Sequence, residues 1–192
     1  MTIRTATADD LAAIMALERT SFPTDAWSEA MMREELGSPH GWYIVDTEAG
    51  RLVGYAGLRA VAGARDADIQ TIAISEVSRG HGRGRKLLRT LLEEAARREV
   101  WDVFLEVRAD NPVAQALYIS EGFAEIGRKP RYYQPDDVDA VVMKLDLRGW
   151  HAAGRGTVVG ETPRNRALTD AGTDAAAGAS PDPWSSAGGV CT

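Results

Sequence analysis

The segment Arg79-Gly80-His81-Gly82-Arg83-Gly84-Arg85-Lys86-Leu87-Leu88 decides how the rest of the chain is read. Before it runs a strand-like stretch, Asp68 to Ile74 (DIQTIAI). After it a helix is predicted from Gly82 to Arg98, with Leu87, Leu88, Leu91, Leu92 and Ala95 on its apolar side. As a helix start the segment breaks local rules. A glycine costs up to about 1 kcal/mol against alanine inside a helix. A cation in the first turn opposes the macrodipole by about 0.3–1 kcal/mol. Both violations make sense where an anion sits. Glycines let the backbone approach closely, free N–H groups point at phosphate oxygens, and Arg and Lys add charge-assisted contacts. Two common phosphate motifs do not fit. The P-loop lysine is followed by Ser or Thr, and here Leu87 follows Lys86. The dinucleotide fingerprint needs a glycine where Arg85 stands.

Working outward, Thr7 with Asp10 three residues on reads as a capped start, and Leu11, Ile14 and Leu17 follow at helical spacing. A second short helix is predicted from Ser28 to about Gly37. Residues 41–46 and 51–61 flank Glu48-Ala49-Gly50 as a hairpin. Val103 to Val107 reads as a buried strand. Asn111-Pro112 caps and opens a helix through Glu121, and Gly122 ends it. Phe123 to Ile126 and Ala140 to Leu147 are the last predicted strands, with Arg131-Tyr132-Tyr133 between them. The order is that of a mixed α+β domain.

The chain has 192 residues, 22 Lys plus Arg against 28 Asp plus Glu, and a formal charge of -6, which argues against binding nucleic acid or membrane through bulk positive charge. One cysteine leaves no disulfide framework and no multi-cysteine metal site. No run of 18 apolar residues and no signal-like start occurs, so a cytoplasmic protein is expected. From Arg148 to Thr192 small residues, Gly, Pro and Thr dominate without period. Residues 1–147 are therefore expected to form one domain and 148–192 a disordered tail, with Trp150 and Trp184 free to dock and Cys191 incidental.

The spacing Arg79-x-x-Gly82-x-Gly84 resembles the Q/R-x-x-G-x-G/A pyrophosphate motif of the GNAT acyl-CoA-dependent N-acyltransferases. LEVRADNPVAQALYISEGF (105–123), RYY (131–133), FPTDAWSE (22–29) and TIAI (71–74) are similar to the RimI-like ribosomal-protein-alanine N-acetyltransferases of that superfamily, and the likeness covers roughly residues 2–147. It implies an α/β, mostly antiparallel twisted sheet flanked by helices and splayed between its fourth and fifth strands. It also implies acetyl-CoA as co-substrate and no metal. The pantetheine would lie along the backbone of Ile72, Ala73 and Ile74. Arg79, Gly80, His81, Gly82, Arg83, Gly84 and Arg85 would hold the pyrophosphate, and Asn111 would touch the cofactor arm while capping its helix.

Aminolysis of a thioester needs a neutral amine and a protonated leaving group. The resemblance assigns the base to Glu106 and the acid to Tyr118. Glu106 interrupts the apolar strand VFLEV, where a carboxylate is costly unless solvated, paired or used; a salt bridge with Arg108 is the plain structural alternative. For Tyr118 the plain alternative is core packing. The implied acceptor is the N-terminal alanine of a small-subunit ribosomal protein. An α-amine, pKa near 7.8, is about 10–15% neutral at pH 7, whereas lysine near 10.4 is about 0.04% neutral, so the former asks less of a weak base. Asp25, Glu29, Glu34, Glu35, Asp66 and Asp68, with Tyr132 and Tyr133, are candidates for receiving a basic peptide; a solvated acidic face is the plain alternative.

Other classes fit less well. His40, His81 and His151 lack metal-ligand spacing, no G-x-S-x-G occurs, and the 79–89 basic stretch has no aromatic interleaving. A broader peptide, lysine or small-amine acetyltransferase stays open. So does a non-catalytic acyl-CoA sensor, against which the presence of both Glu106 and Tyr118 argues.

Overall fold

The structure, a computed structural model, describes residues 2–156. In chain order it contains β1 (Thr2–Thr5), α1 (Leu11–Ser21), α2 (Glu29–Gly37), β2 (Gly41–Glu48), β3 (Arg51–Arg59), β4 (Asp66–Ile74), α3 (Arg83–Arg97), β5 (Asp102–Arg108), α4 (Pro112–Glu121), β6 (Ala124–Tyr133), β7 (Val138–Asp146) and α5 (Leu147–Ala152). The seven strands form one sheet in the order β1-β2-β3-β4-β5-β7-β6. Every neighbouring pair is antiparallel except β4 and β5.

Helices cover both faces. Leu87, Leu88, Leu91 and Leu92 of α3 have no exposed surface and pack with Ile72, Val103, Leu105, Tyr118 and Phe123 on one face. At roughly 1.5–3 kcal/mol for each fully buried leucine, that stripe repays the glycines that open the helix. On the other face α1 and α2 bury Ile14, Met15, Phe22, Trp27 and Met32 against Tyr43, Tyr55, Ala73 and Tyr133. Alternation along β4 sends Ile72 to the first cluster and Ala73 to the second.

Local signals place the joints. The β2–β3 hairpin closes on two residues, Ala49 (φ 49°) and Gly50 (φ 77°), the positive-φ pair that matches strand twist. Thr7 and Asp10 cap each other as expected, around a short 3-10 turn at Ala8–Asp10 that leads into α1. Asn111 accepts from the Ala114 N–H at 3.0 Å, Pro112 opens α4, and Gly122 ends it at φ 104°.

The feature that matters for function is where the sheet opens. Parallel pairing of β4 with β5 runs only from Asp66↔Asp102 to Ile69↔Leu105. Beyond that β4 continues to Ile74 paired with β3 alone, and β5 continues to Arg108 paired with β7 alone. The two strands splay, as the resemblance implied.

Two boundaries differ from expectation. β6 does not stop near Ile126; it runs to Tyr133, so Arg131, Tyr132 and Tyr133 belong to the strand. Its Arg-Lys-Pro-Arg composition suits an edge strand, where Pro130 forfeits no ladder bond that an inner strand needs. The stretch expected as tail from Arg148 begins instead as α5. Asp146 caps it by accepting from the N–H groups of Arg148 and Gly149, and Leu147 and Trp150 are buried in the first cluster. Trp184 and Cys191 lie outside the described residues.

Candidate active site

A cavity of about 840 Å³ occupies the splay. Its lining comes from the α1–α2 connection (Phe22 to Asp25), from Ile72 and Ile74 of β4, from the loop and first turn at Ser78–Arg85, from the end of β5 with Asn111, and from α4 through Leu117 and Tyr118.

At one part of this cavity α3 begins without a capping side chain. Gly82 is its N-cap at φ 74°, Gly80 has φ 78°, and a Cβ on either would meet nothing within 4 Å. The Lys86 N–H is the first to find a helical acceptor, on Gly82 O at 3.1 Å. The N–H groups of Arg83, Gly84 and Arg85 precede it and have no carbonyl one turn back, so open space faces a set of main-chain donors. That arrangement fits a pyrophosphate.

The arginines divide their work. Arg83 was expected to point at phosphate. Its side chain turns away, with Nη1 2.8 Å from Asp46 Oδ2 and Nη2 2.5 Å from Glu48 Oε1, both on β2. Asp46 has no exposed surface, so an unpaired carboxylate there would be costly, and Arg83 answers it. Only the Arg83 main chain is left for an anion. Arg85 pairs with Glu121, which also accepts from Arg89 Nε at 3.0 Å and from Trp150 Nε1 at 3.4 Å. Burial works against the Glu121 charge, but the hydrogen bonds from Arg89 and Arg85 outweigh it and hold the carboxyl below its usual range. These pairs explain how α3 tolerates cations in its first turn. Arg79 donates from Nε to Ile74 O at 3.1 Å and tethers the loop to the end of β4. His81 is exposed and lies outside the cavity lining.

On β4, Ser75 N donates to Val53 O at 2.8 Å and Tyr55 pairs with Ala73, so the main-chain groups of Ala73 face β3. The alternation of an antiparallel ladder turns those of Ile72 and Ile74 to the splay, where β5 no longer meets them. Asn111 lines the cavity while it caps α4.

Tyr118 lines this cavity too. It is 1% exposed and its ring meets Phe123 edge-on at 5.9 Å. Glu106 lies at a second, smaller cavity of about 300 Å³, with Asp66, Asp68, Gln70, Phe104, Lys129 and Tyr132. The salt bridge considered for Glu106 exists, but with Lys129 rather than Arg108: Nζ is 2.6 Å from Oε1. Lys129 Nζ also sits 5.2 Å from the Tyr132 ring centre. Burial, then the charges of Glu106 and Asp66, push the Asp68 carboxyl up to about 6. Burial and the hydrogen bond with Glu106 push the Tyr132 hydroxyl well above the usual phenol range. Tyr133 faces neither cavity; it packs in the α1–α2 cluster, edge-on to Tyr132 and against Arg108.

The acidic residues proposed for one peptide-facing surface separate. Asp25 lines the larger cavity, and Asp66 and Asp68 the smaller. Glu29 pairs with Arg33 and Glu35 with Arg59. Sequence reasoning missed Lys129, Thr24, Asp136 and the role of Arg108. Arg108 carried a signal, as a cation two residues from Glu106 in the strand alternation; Lys129 carried none, because it lies beyond the expected end of its strand.

Comparison with known proteins agrees with this geometry. Residues 11–123 match the family model described as the acetyltransferase (GNAT) family. The chain belongs to the GNAT acetyltransferase family. It is 42% identical over 124 residues to N-alpha-acetyltransferase RimI of Mycobacterium tuberculosis, spanning 64% of this chain and 77% of that protein. It is 33% identical over 150 residues to the [ribosomal protein bS18]-alanine N-acetyltransferase of Escherichia coli, spanning 76% and 97%. The crystal structure of the Escherichia coli ribosomal-protein-S18-alanine N-acetyltransferase superposes with a TM-score of 0.70 at 31% identity, covering 76% of this chain and 93% of that one. The chain is thus a RimI-like GNAT enzyme, an acetyltransferase of a family that uses acetyl-CoA. No helix among the described residues is long and apolar enough to cross a membrane.

Proposed function

We propose that this GNAT enzyme acetylates the α-amine of an N-terminal alanine on a small-subunit ribosomal protein, in the cytoplasm, with Glu106 as base and Tyr118 as acid. The observation that carries the reading is the splay beyond Ile69 and Leu105, with Tyr118 at the larger cavity and Glu106 at the smaller. The likeness to proteins named for alanine N-acetylation supports the choice of acceptor.

Acetyl-CoA, when bound, supplies an activated acyl group. The chain's residues hold and aim it. The N–H groups at Arg83 to Arg85 take the pyrophosphate, and the main-chain groups of Ile72 with the N–H of Ile74 take the amide-bearing arm. Glu106 removes a proton from the acceptor ammonium; Tyr118 delivers one to the departing sulfur. A C–N bond forms and a C–S bond breaks; the nitrogen loses two protons in all, the first to Glu106, which passes it to solvent, and the second after attack, which replaces the one Tyr118 gave to sulfur, so one proton is released overall. The Glu106 carboxylate lies 2.6 Å from the Lys129 Nζ, so it is placed where a cationic amine can pair with it, which supports the reading. The acceptor must displace that lysine. An α-amine costs about 3.5 kcal/mol less to deprotonate at pH 7 than a lysine, which suits a single carboxylate.

The test is mass spectrometry of alanine-initiated peptides, each with an internal lysine, after incubation with the full chain and acetyl-CoA. Acetylation at the α-nitrogen is expected. Modification confined to lysine Nζ would overturn the choice of acceptor, and binding of acetyl-CoA without any transfer would favour a sensor.

A further inference from the structure

One guanidinium joins three segments far apart in sequence. Arg108, the last residue of β5, donates to both carboxylate oxygens of Asp110 at 3.0 Å, lies 3.0 Å from Asp136 Oδ2 and 3.6 Å from Asp25 Oδ2, and stacks 5.2 Å from the centre of the Tyr133 ring. Its side chain is 14% exposed. Asp25 belongs to the α1–α2 connection and Asp136 to the β6–β7 turn. The same Asp136 oxygen accepts from Thr24 Oγ1 at 2.9 Å, so the two loops are also tied directly. Thr24, Asp25, Arg108, Asp110 and Asp136 all line the larger cavity. None of these contacts touches the phosphate-facing turn.

We propose that Arg108 is a positioning residue that holds the α1–α2 connection and the β6–β7 turn together as the frame through which the acceptor approaches. The proposal rests on the acetyl-transfer reading above. Strand alternation puts Arg108 on the same face of β5 as Glu106, two residues away, so the residue that sets the loops shares a rigid element with the proposed base. The fork geometry matters. A guanidinium reaches Asp110 and Asp136 at once, whereas an ammonium is a single point of charge.

Arg108→Gln should raise the acceptor KM at least tenfold while the acetyl-CoA KM stays within about threefold, and Arg108→Lys should recover part of the loss. Amide exchange over residues 22–28 and 134–138 should quicken at least tenfold, with β4 and α3 unchanged. Thr24→Val severs the direct loop tie with every charge left in place, so it carries the test without three unneutralised carboxylates; it should quicken exchange in both loops and raise the acceptor KM about threefold. Equal rises in both KM values, or unchanged exchange in both variants, would overturn the proposal. The exchange measurement needs no acceptor. Were the wild-type chain to acetylate no peptide, it would still read the latch, and only the acceptor assignment would fall.

Discussion

Arg83 Nη1 lies 2.8 Å from Oδ2 of the fully buried Asp46, which fastens the start of α3 to β2. The glycine-rich turn that opens α3 is therefore held from behind by an ion pair between residues 37 apart in sequence. Asp46→Ala should loosen that turn. Breaking a buried pair by removing one partner is strongly destabilising, so Tm is expected to fall by about 5–10 °C. The acetyl-CoA KM should rise while the acceptor KM changes little, a split readable in two-substrate kinetics.

Gly82 offers a gentler probe of the same turn. Its φ of 74° costs a non-glycine residue about 1–2 kcal/mol, and the space at its Cβ is open. Gly82→Ala should fold with a modest loss of Tm and bind coenzyme A several-fold more weakly by calorimetry. Unchanged binding would separate the turn from the phosphate.

The proposed acid and base are tested by two separate substitutions. Tyr118→Phe keeps the edge-on contact with Phe123, so Tm should stay within about 3 °C while turnover falls ten- to a hundredfold. Glu106→Gln should slow turnover by about 10²-fold or more and preserve acetyl-CoA binding. Full activity in either variant removes that residue from its role.

Asp68 links charge in the smaller cavity to pH. Its carboxyl, pushed up to about 6 by burial, Glu106 and Asp66, is harder to ionise in the folded protein than in the unfolded chain. The folded state then binds more protons between about pH 4 and 6, so this group's contribution to stability is lost as pH rises through that window. Asp68→Asn should raise Tm at pH 8, and the gain should shrink towards pH 5. A gain independent of pH would show that the amide acts through packing instead.

Trp150 tests the helix that follows the last strand. It is 3% exposed and donates to Glu121. Trp150→Ala should cost about 3–5 kcal/mol and lower Tm by about 10 °C in thermal melts, whereas Trp150→Phe should cost less than half as much.

Much of this architecture was legible before any coordinates. The leucine stripe of α3, the caps at Asn111 and Gly122 and the two-residue hairpin turn each express a local rule, and the structure follows them. The glycines of the turn that opens α3 were readable because they violate helix propensity. Where the reading failed, the cause was tertiary. Nothing near Arg83 in sequence announces Asp46, so a cation in a glycine-rich helix start reads as a ligand contact. The Arg-Lys-Pro-Arg stretch of β6 has the composition of a loop and is a strand only because it pays no penalty at a sheet edge. α5 was hidden because its two anchors, Leu147 and Trp150, are too few to set a period. Glu106 and Tyr118 were named by resemblance; that they open onto different cavities needed the splay.

The unzipped edge of β4 has a consequence for the order of events. Its outward amides and carbonyls ask for a partner that alternates donors and acceptors, and a thioester arm built of two peptide-like units supplies them in the manner of an added strand. On the function proposed above, such an arm once seated would form one wall of the passage that the second substrate enters. The donor should therefore load ahead of the acceptor, and the spent carrier should leave last.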